Sequence, residues 1–172
     1  AIRNIETADN WQINFYRSIA FGIAISIVLL FRYGKTGTQQ LKGIGLEGIL
    51  AAMLLASASI SFLQAITNTT VAATTFTLSS IPFLTAIMAW LFLGERIGKS
   101  TILTMCIAAA GISLMFVQGF GSGTLYGNFM ALLCAVGFSS YAIIIRRNRR
   151  LEMLPTLILS NLIIMLVALL FT

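Results

Sequence analysis

Residues 48–94 read GILAAMLLASASISFLQAITNTTVAATTFTLSSIPFLTAIMAWLFLG, 47 residues without a charged side chain. A membrane-spanning helix needs about 20 mostly apolar residues. This run is too long for one crossing and right for two. Ser100–Ile145 is a second such run, of 46 residues, and Met153–Thr172 a third, of 20. Short basic clusters separate them. Bilayer-spanning helices carry few charges and leave the rest to the loops, so the pattern places the chain in a membrane.

The composition agrees. The chain is 58% hydrophobic and 9% charged, with a mean hydropathy of +0.95. A soluble domain carries about 25% charged residues. The net charge of +6 does not indicate a nucleic-acid partner, because the basic residues flank apolar segments and form no basic domain of their own. Cys106 and Cys134 lie inside apolar segments and read as small packing residues. The chain lacks an initiator Met and opens abruptly in a polar stretch, so a fragment of a longer protein is expected.

The fold class read from this pattern is all-α, a polytopic membrane protein with six visible helices. They are expected near 11–31, 45–67, 71–93, 100–118, 124–145 and 154–172. Membrane strands are not expected, because the runs lack the ten-residue alternation of a barrel. The basic residues fall on alternate connections. Arg32, Lys35 and Lys42 follow the first helix, Arg96 and Lys99 the third, and Arg146, Arg147, Arg149 and Arg150 the fifth. The other side holds Arg3, Glu6, Asp9 and the uncharged turns near 68–70 and 119–123. The positive-inside rule makes the basic side cytoplasmic. The first residue and Thr172 then lie outside. Trp11, Tyr16 and Trp90 suit the interfacial belts.

Polar side chains inside a membrane face other helices or water. In the second helix Ser57, Ser61, Gln64 and Asn68 fall within roughly 60° of one another at about 100° per residue. In the third, Thr70, Thr74, Thr77 and Thr85 fall within roughly 80°. These helices are consecutive and joined by a tight turn, so they are expected to be antiparallel neighbours. Two facing polar stripes either line a cavity or form a hydrogen-bonded seam, which Ser and Thr make routinely between membrane helices. Gln64, a long amide, favours the cavity. Arg17 sits about 9 Å inside the outer end of the first helix. It either snorkels to the headgroups or faces the cavity to hold a substrate carboxylate or a helix C-terminus. Pro82 lies midway along the third helix and frees a carbonyl. It makes either a plain kink or the broken helix that transporters use at substrate sites near the midplane.

Other signals carry less. Gly43-Ile44-Gly45-Leu46-Glu47-Gly48 matches a dinucleotide fingerprint, but it follows a basic loop and opens a membrane helix. Asn68-Thr69-Thr70 fits a glycosylation sequon in a turn that hugs the membrane. Gly94 and Gly98 stand at a helix end, as a cap and turn. No catalytic constellation is present. There is no His, no close carboxylate pair, no metal-ligand spacing and no cysteine beside a base. An enzyme is therefore not expected, nor a metal, nor a cofactor. Glu47, Glu95 and Glu152 all fall at the cytoplasmic edge, which argues against a proton relay within these helices.

The stretch Thr70–Ile97, TVAATTFTLSSIPFLTAIMAWLFLGERI, resembles the EamA-type signature of the drug/metabolite transporter superfamily. That signature has small residues, a mid-helix Pro and an apolar run ending in Leu-Gly-Glu-Arg. Here these are Pro82 and Leu93-Gly94-Glu95-Arg96. Phe15-Tyr16-Arg17 is similar to the aromatic-x-Arg near the start of the family's second helix. Gly111 lies where the family has a small-residue face. Gly127 through Arg147 is similar to the sixth family helix, which begins with Gly and ends in Tyr-x-x-x-x-Arg-Arg. Phe138-Ser139-Ser140 departs from the Trp-Ala frequent in the family.

The resemblance implies ten helices in two inverted five-helix repeats. On that map residues 1–122 are the first repeat without its first helix, and 123–172 begin the second. It also implies a cytoplasmic N-terminus for the whole protein, so the helix at 11–31 runs outside to inside, as the charge count gives independently. The function expected is secondary transport, the export of small metabolites such as amino acids, amines or drug-like compounds across the bacterial inner membrane by alternating access. A non-transporting scaffold or a channel is the alternative. Arg17, Gln64, Thr74, Thr77 and Thr85 are the expected cavity-lining residues, with Pro82 shaping the broken helix. Glu95 and Arg96 are expected to gate or cap its cytoplasmic end. A small-molecule substrate and the lipid bilayer are the expected partners.

Overall fold

The computed structural model describes residues 10–33, 45–95, 98–117, 124–148 and 153–171. Among these, every regular element is a helix: α1 (Asn10–Tyr33), α2 (Leu46–Asn68), α3 (Val71–Leu78), α4 (Ile81–Leu93), α5 (Lys99–Val117), α6 (Leu125–Arg147) and α7 (Met153–Phe171). Among the described residues five stretches are long and apolar enough to cross a membrane: Trp11–Leu29, Leu46–Asn68, Val71–Leu93, Leu125–Arg147 and Met153–Leu170. The expected span at 100–118 forms a helix, α5, but is not one of these five. Large apolar side chains such as Phe31, Leu91, Phe92, Leu125 and Leu170 are exposed. A lipid environment suits them, because lipid tails and these side chains are equally apolar.

The bundle is built on α2 and α6, which pack together along their length; α7 packs on α2, and α3 and α4 pack on α6. α1 lies against α7. The α2–α6 seam is lined with small residues. Ala51, Ala52, Ala56, Ala58 and Ala65 of α2 and Ala131 and Ala135 of α6 are almost completely buried. Small residues let backbones approach and gain van der Waals contact, which is the main attraction between helices in lipid. Two glycines mark the closest approaches. A Cβ at Gly127 would stand 2.6 Å from the Thr69 Cβ and 2.8 Å from the Asn68 carbonyl carbon. One at Gly137 would meet the Ala58 Cβ and the Leu54 oxygen at 3.2 Å.

Polar contacts fix the antiparallel register at both ends of the seam. At one end Thr69 Oγ1 donates to Asn128 Oδ1 at 3.0 Å, and the Thr124 hydroxyl donates to the Asn68 carbonyl. Thr124 also caps α6, accepting from Gly127 N at 3.2 Å. This is an N-cap serving the first orphan donors of the helix. At the other end Asn148 Nδ2 donates to Glu47 Oε2 at 2.9 Å, and beside this contact, between α4 and α6, Arg146 Nη2 lies 2.7 Å from Glu95 Oε2. The start of α2 and the ends of α4 and α6 therefore share one face, the alternation that the charge count requires.

The expected helix at 71–93 is a pair of half-helices. Pro82 has no N–H to give to the Leu78 carbonyl. α3 accordingly tightens at its end, with Ser79 N on Thr75 O at 3.0 Å and Phe76 O at 3.1 Å, and Ser80 N on Thr77 O at 3.1 Å. The Ser79 hydroxyl donates to the Phe76 carbonyl, and Ser80 Oγ to the Thr77 carbonyl at 2.6 Å. The α4 ladder resumes with Leu84 N on Ser80 O at 2.9 Å. Pro82 then occupies the first turn of α4, where its missing donor is harmless. Gly94 ends α4 at φ 67°, a left-handed cap that glycine adopts without strain.

One expected adjacency changes. α2 and the broken helix were expected to face each other directly. In the structure α6 is the principal partner of both, and α2 meets α3 only slightly. In water the buried face of a helix is its apolar stripe. In lipid every face is apolar, so sequence order is a weak guide to neighbours.

Candidate functional site

Where α2, the α3–α4 break and α6 converge, they leave a cleft of about 240 Å³. Leu78 and Ile81 line it from either side of the break, Ser59 and Phe62 from α2, and Cys134 and Phe138 from α6. Each part has a local cause. The break turns the chain between Leu78 and Ile81, so their side chains do not follow one continuous helix face. Gly137 brings α6 close to Ala58, one residue from Ser59 on α2. Ser139, fully buried, donates through Oγ to the Ile81 carbonyl at 3.3 Å and ties α6 to the start of α4. Ser140 Oγ donates to Val136 O at 2.8 Å. The wall is almost wholly apolar. It suits a molecule with an apolar or aromatic part, held by few polar groups, as small-molecule sites commonly are.

The polar residues singled out in the sequence are distributed differently. Thr74 is fully buried, and its Oγ1 donates to the Thr70 carbonyl at 3.1 Å. Thr77 Oγ1 donates to Ala73 O at 3.0 Å. These hydroxyls back-bond within their own helix. Thr85 is half-buried on α4. Gln64 is buried on α2. Asn68 Nδ2 donates to its carbonyl at 2.8 Å and to its Oε1 at 3.2 Å. None of these four lines the cleft, although Thr77 adjoins Leu78 and Pro82 adjoins Ile81. Arg17 stands apart on α1, whose main neighbour is α7. Glu95 is in the Arg146 ion pair described above. Arg96, the 119–123 turn and the 122/123 repeat boundary lie outside the described residues.

Sequence reasoning missed Ser59, Phe62, Cys134 and Phe138. Phe138 had a signal, since it opens the segment that departs from the family pattern. Ser59 could have been found from the close-packing glycine on the facing helix, but only with the α2–α6 pairing in hand. Among the described residues no group of His, Cys, Asp and Glu could hold a metal.

Helices that bury small residues against one another, expose large apolar side chains and break at a proline beside a cleft define an integral, multi-pass membrane protein of transporter type. The EamA-like transporter family model matches residues 2–117, and the chain belongs to that family. It is thus a membrane transporter of the drug/metabolite superfamily, acting on a small molecule. No curated protein and no solved structure matches significantly.

Proposed function

We propose that this chain is part of a secondary transporter that exports small metabolites from the cytoplasm by alternating access. The substrate site is the cleft at the α3–α4 break. Residues 1–122 belong to the first repeat and 123–172 begin the second. The observation that carries the reading is the position of the cleft. It lies where the broken helix and α2, on one side, meet α6, on the other. Transporters of repeated architecture bind substrate near the midplane between repeats, at discontinuous helices. The apolar wall favours amino acids, amines or drug-like compounds with an apolar or aromatic portion. Gln64, Thr74, Thr77 and Thr85 support the cleft from neighbouring turns, and Pro82 holds the break open. The pairing of α1 with α7 supports the repeat boundary, since these are the second helices of the two repeats.

On this reading the α4–α6 ion pair closes the cytoplasmic end. The Glu95–Arg146 pair and the Glu47–Asn148 bond both join the first repeat to the second. An exposed ion pair contributes only about 0.2–1 kcal/mol. That is small for stability but enough to bias two states of similar energy. Glu95→Lys is expected to leave the thermal midpoint within a degree or two. It should also raise thiol labelling, from the cytoplasmic side, of a cysteine placed at Ser59. Unchanged labelling would remove Glu95 from the gate.

The direct test is an efflux assay on cells expressing the full-length gene, screening amino acids, amines and drug-like compounds. Saturable efflux, with a Ser59→Cys variant protected from a water-soluble thiol reagent by the same compound, supports the reading. Well-inserted protein with no efflux of any compound points to a scaffold, and efflux that never saturates points to a channel.

A further inference from the structure

The α1–α7 side of the bundle carries a second feature that the transport cleft does not use. Asn14 is completely buried in α1, and its Nδ2 has no hydrogen-bond partner. One turn later Arg17 reaches back, its Nη2 3.4 Å from Asn14 Oδ1, while its Nε is buried and unpartnered. The amide oxygen faces the guanidinium and orients it, and because Asn14 has no exposed surface the outer edge of the guanidinium is the donor open to a ligand. Glu47 and Glu95 are engaged at the far end of α6, by Asn148 and Arg146. Among the described residues no carboxylate pairs with Arg17. A half-buried cation in a membrane without a counter-ion is costly. Arg17 is not fully enclosed, so an anion can reach it from outside.

Directly along α1 from this pair runs a groove of about 360 Å³ between α1 and α7. Its walls include Ser18, Gly22, Ile23 and Ile27 of α1 and Asn161 and Met165 of α7. Of its three polar members, Ser18, Ser26 and Asn161, two bond the backbone of their own helix. Ser18 Oγ donates to the Asn14 carbonyl at 2.7 Å, and Asn161 Nδ2 to the Leu157 carbonyl at 3.0 Å. The groove is therefore apolar in effect. From Ser18 to Ile27 it runs about 14 Å at the helical rise, about half the ~30 Å hydrocarbon thickness of a bilayer. Donors for an oxyanion stand at one end of a slot of one leaflet's length.

We propose that Arg17, held in place by the Asn14 amide oxygen, binds the phosphate of an anionic phospholipid from the leaflet around the N-terminal end of α1, with one acyl chain lying in the α1–α7 groove. Guanidinium and phosphate are matched in charge and fork geometry. Local thinning of the bilayer brings the headgroup to an arginine below the interface. The site is independent of the substrate cleft, and its test does not depend on transport.

The full-length protein, purified in mild detergent, is incubated with phosphatidylglycerol, and retained lipid is counted by native mass spectrometry. Arg17→Gln is expected to lower retention about tenfold, the loss of one charge-assisted hydrogen bond. Gly22→Leu is expected to do the same by filling the groove. A Cβ at Gly22 has nothing within 4 Å, so this variant should keep its helical circular dichroism. Diacylglycerol with the same chains should not be retained. Retention unchanged in either variant, or equal retention of diacylglycerol, would overturn the proposal. So would a large rise in retention in the Glu6→Gln/Asp9→Asn protein, since the chain's own carboxylates would then be the counter-ion.

Discussion

Gly127→Ala is expected to destabilise the protein by at least about 2 kcal/mol, with Gly137→Ala costing about 1 kcal/mol or less and Gly22→Ala nothing. The same substitution has two opposed effects. In a helix interior alanine is better than glycine by about 0.5–1 kcal/mol. Against this stands whatever the new methyl meets. At Gly22 it meets nothing within 4 Å, so propensity decides and the variant is neutral or slightly stabilised. At Gly137 the contacts are at 3.2 Å, and a shift of a few tenths of an ångström relieves them. At Gly127 the methyl lies 2.8 Å from Asn68 C and Thr69 N. These are backbone atoms at the end of α2, and they cannot rotate away. The helices must separate, and the Thr69–Asn128 and Thr124–Asn68 bonds separate with them. Thermal unfolding of the three purified variants in one detergent checks the order. A Gly127 variant as stable as the Gly22 variant would mean that α2 and α6 do not approach as described.

Ser59→Trp is expected to reduce efflux at least tenfold while Ser59→Ala leaves it near wild type. Ser59 is half-buried and lines the 240 Å³ cleft. An indole there occupies the space that the substrate would enter if the cleft is the transport site proposed above. Tenfold corresponds to about 1.4 kcal/mol of lost binding, a low bar for a side chain that excludes the ligand outright. The indole projects into a void, so the fold should tolerate it. Equal membrane levels of the three proteins are the control. Full efflux from the Trp variant would move the substrate elsewhere in the bundle.

The helices were legible because a membrane converts length directly into sequence. A charge-free run of 47 residues has few other readings, and the expected span at 45–67 is the observed Leu46–Asn68 within a residue. Pro82 announced the break for an equally direct reason, the missing N–H. The site was less legible. Ser, Thr and Gln draw attention in an apolar sequence, yet Thr74 and Thr77 donate to their own helix, an outcome that periodicity cannot separate from facing a cavity. The interface that organises the bundle is written in alanine and glycine, which look like background in a chain this hydrophobic. Arg17 was conspicuous, but its buried neighbour Asn14 gave no signal until the unpartnered amide was seen beside it.

The two ends of the α2–α6 seam are closed by different chemistry, and this has a consequence for how the molecule meets its surroundings. One end is joined by neutral hydroxyl and amide groups, Thr69 with Asn128 and Thr124 with the Asn68 carbonyl. At the other, the Glu47 carboxylate meets the Asn148 amide, and beside it the α4–α6 pair sets the Glu95 carboxylate against the Arg146 guanidinium. Mobile ions screen exposed charges over about 8 Å at physiological ionic strength, and they leave neutral pairs untouched. Salt therefore loosens one mouth of the bundle and not the other. A change of electrolyte thus reaches the contacts between these helices from one compartment and not from the other.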